Sequence, residues 1–134
     1  MSVVVDFLKA VAGICRTKPL SPDSWQLNGN TITIPVGELP DLQMPGSAVY
    51  LAGKGLTKPV LVVRDDSGNY HSFSNRCTHM GRKLDPVPGK QVLRCCSVSH
   101  STFDYDGNNL TGPGKKPIQV YRTELDRGNL MIVM

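Results

Sequence analysis

Cys77-Thr78-His79-Met80-Gly81 and, further on, Arg94-Cys95-Cys96-Ser97-Val98-Ser99-His100-Ser101-Thr102-Phe103 decide how this chain is read. Each half offers a Cys and a His, with 16 residues between His79 and Cys96. A zinc finger usually pairs Cys with Cys and His with His. An alternating Cys/His, Cys/His layout suits a binuclear centre instead. Each of two loops then feeds both metals, with two thiolates on one and two imidazoles on the other.

Outward from this stretch the chain reads as short strands joined by turns. Upstream, Thr31-Ile32-Thr33-Ile34-Pro35 alternates with period two, and Pro35 ends it. Strands follow over 47–52 and 59–64, and Asp65-Asp66-Ser67-Gly68-Asn69 forms a hairpin connection to Tyr70-His71-Ser72-Phe73-Ser74. His71 reads as a partly buried, hydrogen-bonded strand histidine, and as the substitute ligand if His100 does not reach the metal. Downstream, 91–94 is a short strand, and Phe103-Asp104-Tyr105 starts a hairpin through Asp106-Gly107-Asn108. Strands over 118–125 and 129–134, joined by Asp126-Arg127-Gly128, close the base sheet.

Residues 16–30 read as a turn-rich connection in which Trp25 covers an edge of the core. Residues 2–15 are the only helical stretch, with Val4, Phe7, Leu8, Val11 and Ile14 on one stripe. That stripe is too short for a membrane span, and Asp6 and Lys9 interrupt it. It also lacks the charged start and cleavage site of a secretory signal. A helix packed on the domain or on a partner is expected, and a cytoplasmic location. Cys15 and Cys95 read as small packed hydrophobes. The expected organisation is a helix and connection over 1–30 and one domain over 31–134, with a metal-binding subdomain at about 76–116.

The segment resembles the Rieske proteins, whose pattern is C-x-H, roughly fifteen to seventeen residues, then C-x2-H. Cys77, His79, Gly81, Cys96, His100, Phe103, Asp104 and Gly107 carry the match, with Gly112-Pro113 downstream. The resemblance runs from about residue 31 to the end. It implies an all-β fold, an antiparallel sandwich or barrel with an inserted two-loop cluster-binding subdomain. It also implies a [2Fe–2S] cluster held by Cys77, His79, Cys96 and His100. One departure is plain: three residues separate Cys96 from His100 where the family has two, so by length Ser99 falls at the histidine position. The loop over 112–117 resembles the family's proline loop, which covers the cluster.

The resemblance further implies one-electron transfer, with the electron on the His-side iron and a potential that falls at alkaline pH as a ligand imidazole loses its outer proton. High-potential members brace the two loops with a disulfide, but its cysteines would fall at Arg82 and Val98. Ser101 stands at a position where members offer a hydroxyl, whereas Phe103 replaces a hydroxyl-bearing Tyr. The expected potential therefore lies below the respiratory type, within roughly −150 to +300 mV.

Composition agrees with a loop-rich β protein: 13 Gly and 10 Pro, with 40% hydrophobic and 19% charged residues. Four cysteines, two of them adjacent, make a secreted disulfide scaffold a poor reading. The net charge of +4 is local. Between Arg76 and Lys116 lie seven basic residues (Arg76, Arg82, Lys83, Lys90, Arg94, Lys115, Lys116) against Asp85, Asp104 and Asp106, and the rest of the chain is neutral. A basic rim around the cluster loops suits an acidic redox partner. Nucleic-acid binding would need a denser stripe with exposed aromatics. No Rossmann fingerprint, second Cys/His set or room for a mononuclear-iron domain is present, so substrate turnover by the chain alone is not expected. The competing readings are a mononuclear zinc or iron module at the same four residues, and a diverged domain kept for protein contact; acid-labile sulfide separates the first from a cluster.

Overall fold

Val60-Leu61-Val62-Val63 is an unbroken apolar run, and all four side chains are buried. Successive strand side chains point to opposite faces. A strand buried on both faces needs a cover on each, and that requirement sets the architecture. The computed structural model describes residues 16–78, 83–87, 89–96, 101–112 and 115–134. The helix expected over 2–15 lies outside the described residues.

In chain order the strands are β1 Lys18–Pro19, β2 Gln26–Asn28, β3 Thr31–Ile34, β4 Ala48–Leu51, β5 Val60–Arg64 and β6 Tyr70–Ser74. They continue with β7 Leu84–Pro86, β8 Val92–Cys95, β9 Thr102–Asp104, β10 Asn109–Thr111, β11 Val120–Asp126 and β12 Asn129–Val133. Three single-turn 3-10 helices are the only helical elements among the described residues. One sheet has eight strands in the order β1-β4-β5-β6-β11-β12-β3-β2, and a second has four in the order β10-β9-β8-β7. Every pairing is antiparallel except β1 on β4. The fold is thus all-β, as the sequence implied.

The large sheet covers one of its own faces. β11 is shared along its length: Val120 and Tyr121 pair with β6, while Arg122 to Asp126 pair with β12. The two halves joined there contribute to one core, Val49, Leu51, Val60 and Val62 from one half and Ile32, Ile34, Leu130 and Ile132 from the other. Each such side chain, fully buried, contributes about 1.5–3 kcal/mol. The opposite face of β5 is covered by the four-stranded sheet. Leu61, Val63 and Phe73 pack there with Leu84, Leu93, Cys95, Phe103 and Cys77. A double-faced β5 is therefore what holds the small sheet onto the large one.

The region read as a connection over 16–30 carries β1 and β2, and Trp25 is 1% exposed inside the main core rather than at its edge. Lys54 lies over the indole ring, 4.6 Å from its centroid, and donates to the Trp25 carbonyl oxygen. The backbone N–H groups of Arg16 and Thr17 donate to the Asp85 carboxylate at 2.8 and 3.0 Å, so the start of the described chain is tied to β7. β7 and β10 were not read as strands. Both are three residues long, and β7 contains Pro86, which an edge strand tolerates because its outward side needs no donor.

Both hairpin turns read from the sequence form, with the same chemistry. Asp65 Oδ1 accepts from the N–H groups of Ser67 and Asn69, both at 2.9 Å. Asp104 Oδ1 accepts from Asp106 and Asn108 at 3.0 and 2.9 Å. In each turn a Gly fourth in the motif takes positive φ, Gly68 at 90° and Gly107 at 89°. Gly107 has a second constraint: a Cβ there would sit 2.3 Å from the Ile118 carbonyl oxygen, and its own carbonyl accepts from Ile118 N–H at 2.9 Å. Gly107→Ala should therefore cost at least about 2 kcal/mol of unfolding free energy in urea titration. A loss under about 0.5 kcal/mol, the size of a neutral surface change, would contradict this packing.

Candidate metal centre

The small sheet brings three loops to one end. β7 starts at Leu84 and pairs with the last residue of β8, Cys95. β9 starts at Thr102, which faces Thr111, the last residue of β10. Leu84, Cys95, Thr102 and Thr111 consequently lie at the same edge, and in sequence they border the segments 76–83, 96–101 and 112–117. The first carries Cys77 and His79, the second Cys96 and His100, and the third is the Pro/Gly loop. Antiparallel pairing brings these strand ends together.

Specific bonds hold the bases of the loops together. Cys96 N–H donates to the Lys83 carbonyl at 2.9 Å, and Cys95 N–H to the Ser101 carbonyl at 2.8 Å. Leu84 N–H donates to Asn75 Oδ1 at 2.8 Å, closing the segment that contains Cys77. Thr78 Oγ1 donates to the Lys116 carbonyl at 2.7 Å, joining the first loop to the third. Gly112 lies against the second loop at φ 87°, and a Cβ there would be 2.5 Å from Ser101 Cα. Nothing larger than hydrogen fits between these two backbones.

Of the four residues read as ligands, Cys77 and Cys96 are placed, both buried at this edge. His79 and His100 lie outside the described residues. Cys95, read as a packed residue, is 1% exposed and belongs to the core beneath the loops. Cys77 is a buried free thiol, so no disulfide joins it to Cys96.

His71 is not a ligand in reserve. Its Nε2 lies 2.8 Å from Asp65 Oδ2; its ring stacks on Phe73 with centroids 6.4 Å apart and meets Tyr105 at a tilt of 52° with centroids 4.8 Å apart. Gln91 Nε2 donates to the same Asp65 oxygen at 3.4 Å. β6 of the large sheet is thereby joined to both Tyr105 and Gln91 of the small one. Burial alone would raise the Asp65 carboxyl; the hydrogen bonds from His71, Asn69 and Ser67, with the His71 charge, outweigh it and hold the group below the ordinary carboxylate range. Burial, aided by the charges of Asp65 and Asp66, pushes the Tyr105 hydroxyl up to about 12.

Sequence reasoning did not single out Asn75 or Thr78. Neither carries a pattern, because each acts on a partner distant in sequence, Leu84 and Lys116 respectively.

An all-β protein with a small sheet that presents two Cys/His loops at one edge is the class these observations define. The model of the Rieske [2Fe-2S] domain matches residues 32–122. The chain belongs to this family, whose cofactor is a [2Fe–2S] cluster. The glycine betaine monooxygenase oxygenase subunit of Pseudomonas aeruginosa is 33% identical over 110 residues, covering 72% of this chain and 23% of that protein. Its counterpart from Chromohalobacter salexigens is 33% identical over 69 residues, 51% of this chain and 16% of that protein. The chain thus spans less than a quarter of these relatives. Among solved structures, the ferredoxin of carbazole 1,9a-dioxygenase from Nocardioides aromaticivorans superposes with a TM-score of 0.58 at 22% identity, over 68% of this chain and 88% of that one. The cyanobacterial plasma membrane Rieske protein of Synechocystis gives 0.53 at 24%, over 63% and 86%. At these identities the likeness concerns the fold.

The described residues fit a cluster. Two cysteines stand buried at the loop edge, Gly112 allows the third loop to close on the second, and Asn75 Nδ2 is a buried donor with no partner. Among the described residues no helix is long and apolar enough to cross a membrane.

The Asp65 network sets an acid dependence. A depressed folded value stabilises the protein above the unfolded value, near 3.9, and that contribution is lost as pH falls through the folded value. Asp65→Asn should cost about 1–3 kcal/mol at neutral pH. The gap between variant and wild type, read by urea titration at several acidic pH values, should shrink as pH falls below about 4. A gap independent of pH would contradict the assignment.

Proposed function

We propose that this chain transfers single electrons through a Rieske-type [2Fe–2S] cluster held by Cys77, His79, Cys96 and His100. The supporting observation is the convergence of the two Cys/His loops at one edge of the small sheet, with Cys96 N–H bonded to Lys83 at the foot of the other loop. When bound, such a cluster accepts one electron on its His-side iron. The chain's residues supply the rest. Cys77 and Cys96 would provide thiolates from a buried position, and His79 and His100 the imidazoles. Only a thiolate binds metal, so both cysteines must be deprotonated to ligate.

The reading includes an acidic redox partner. Arg76, Lys83, Lys90, Arg94, Lys115 and Lys116 are exposed on the small sheet and its loops. None is ion-paired within the described residues. Rim charge of this kind acts mainly on the rate of encounter. A cytoplasmic site of action, as a free carrier or as a portion of a larger oxidoreductase, completes the proposal. The oxygenase subunits named above support the second form, and the dioxygenase ferredoxin the first.

The decisive experiment is anaerobic reconstitution with iron and sulfide, with and without a thiol reductant. Two irons and two acid-labile sulfides per chain, with a Rieske-type EPR signal after dithionite, are expected in the sample that contains the reductant. One metal and no sulfide would replace this reading by a mononuclear site.

Phe103 is fully buried beneath the loops and has no hydroxyl. Donation to a cluster sulfur stabilises the more negative reduced state. Phe103→Tyr should therefore raise the midpoint potential in protein-film voltammetry, and an unchanged or lower value would count against the tuning argument. Lys115→Glu with Lys116→Glu should slow reduction by an acidic redox protein at low salt, with the difference vanishing at high salt. Equal rates at low salt would place the docking face elsewhere.

A further inference from the structure

Among the described residues three buried side-chain polar groups have no hydrogen-bond partner: Trp25 Nε1, Ser47 Oγ and Asn75 Nδ2. The first belongs to the main core, away from the loops. The second, Ser47, immediately precedes β4 in the large sheet. Only Asn75 stands at the metal centre, two residues before Cys77, and it is 2% exposed.

The orientation of its carboxamide is fixed by chemistry. Leu84 N–H is a donor, so the atom facing it at 2.8 Å must be the oxygen. The Asn75 backbone N–H is bonded as well, to the Pro59 carbonyl at 2.8 Å. With the oxygen committed to the far end of the loop that carries Cys77, the NH2 group is left buried and unused beside that same loop. A buried donor without an acceptor costs about 1–3 kcal/mol. A side chain that offers an acceptor without an NH2 group would avoid that cost, since the loop closure needs only an acceptor.

Granting that the two loops hold a [2Fe–2S] cluster, we infer that the Asn75 NH2 group donates a hydrogen bond to a sulfur of the cluster or of its Cys77 ligand. Asn75 is then a positioning residue with two tasks. Its oxygen closes the first loop, and its nitrogen stabilises negative charge on sulfur, more so after the cluster gains an electron. The second task raises the reduction potential, which partly offsets the missing hydroxyl at Phe103. The carboxamide is suited to this because one planar group presents an acceptor and a donor in different directions.

Two substitutions separate the tasks. Asn75→Asp keeps an acceptor for Leu84 N–H and removes the donor. Asn75→Leu removes both without adding charge. Protein labelled with 15N only at asparagine side-chain amides provides a direct readout, because Asn75 is the only buried asparagine among the described residues. Hyperfine (HYSCORE) spectra of the reduced wild-type cluster should show one weakly coupled 15N. In both variants that retain a cluster, the equilibrium between reduced and oxidised forms should shift about tenfold toward the oxidised form, a fall of about 59 mV for one electron. The neutral variant excludes charge as the whole cause.

A cluster with full iron and sulfide but no coupled amide 15N overturns the inference and leaves electron transfer standing. So does an unchanged potential in both variants. If neither variant assembles a cluster, the labelled wild-type spectrum decides alone. A wild-type protein with neither iron nor sulfide overturns the functional reading, and this inference with it.

Discussion

Leu84 N–H donating to Asn75 Oδ1, a 2.8 Å bond sealed from water, is the contact on which the candidate centre depends. A buried amide N–H must find an acceptor or lose about 1–3 kcal/mol. Asn75 meets that demand from the other end of the loop, and by doing so fixes where β7 begins. Once Leu84 is placed, pairing with Cys95 sets the register of β8, and Cys96 emerges beside Lys83. Pairing of Leu93 with Phe103 carries the register to β9 and returns the chain to Ser101. The meeting of two loops from distant parts of the sequence thus follows from one side-chain bond and two short ladders.

That arrangement needs a rigid base, and β5 supplies it. Val60 and Val62 face the main core while Leu61 and Val63 face the small sheet. Cys77, Cys95, Leu84, Leu93 and Phe103 rest on the second face. Cys77 at the loop edge is therefore backed by close-packed apolar groups. The His71–Asp65 pair, with the Tyr105 ring tilted against His71 and Gln91 bonded to Asp65, adds a polar tie between the sheets on another side.

What the sequence made legible was whatever is local. The alternation of Thr31 to Ile34, the two Asp-x-x-Gly-Asn turns and the apolar run of β5 all carry their own signal and formed as read. His71, read as a hydrogen-bonded strand residue and kept as a substitute ligand, is bonded to Asp65 as the first reading expected. The Cys/His spacing pointed to the family, and the match over residues 32–122 bears that out. The missed features are non-local. Pro86 hid β7, because a three-residue strand with a proline has no period to detect. β1 and β2 looked like connection since they exist only through pairing with β4 and β3. Trp25 seemed peripheral because nothing in its neighbours reveals that both sheet halves close over it. Asn75 and Thr78 were silent for the same reason: their partners are nine and 38 residues away.

The central claim is that the two loops each contribute a thiolate and an imidazole to different irons of one cluster. Mössbauer spectroscopy of protein reconstituted with 57Fe and reduced by one electron tests it most directly. The account predicts two inequivalent irons in equal amount, a ferric site in an all-sulfur environment and a ferrous site with nitrogen ligands. A single kind of iron, whether one mononuclear site or two all-sulfur sites, would contradict it.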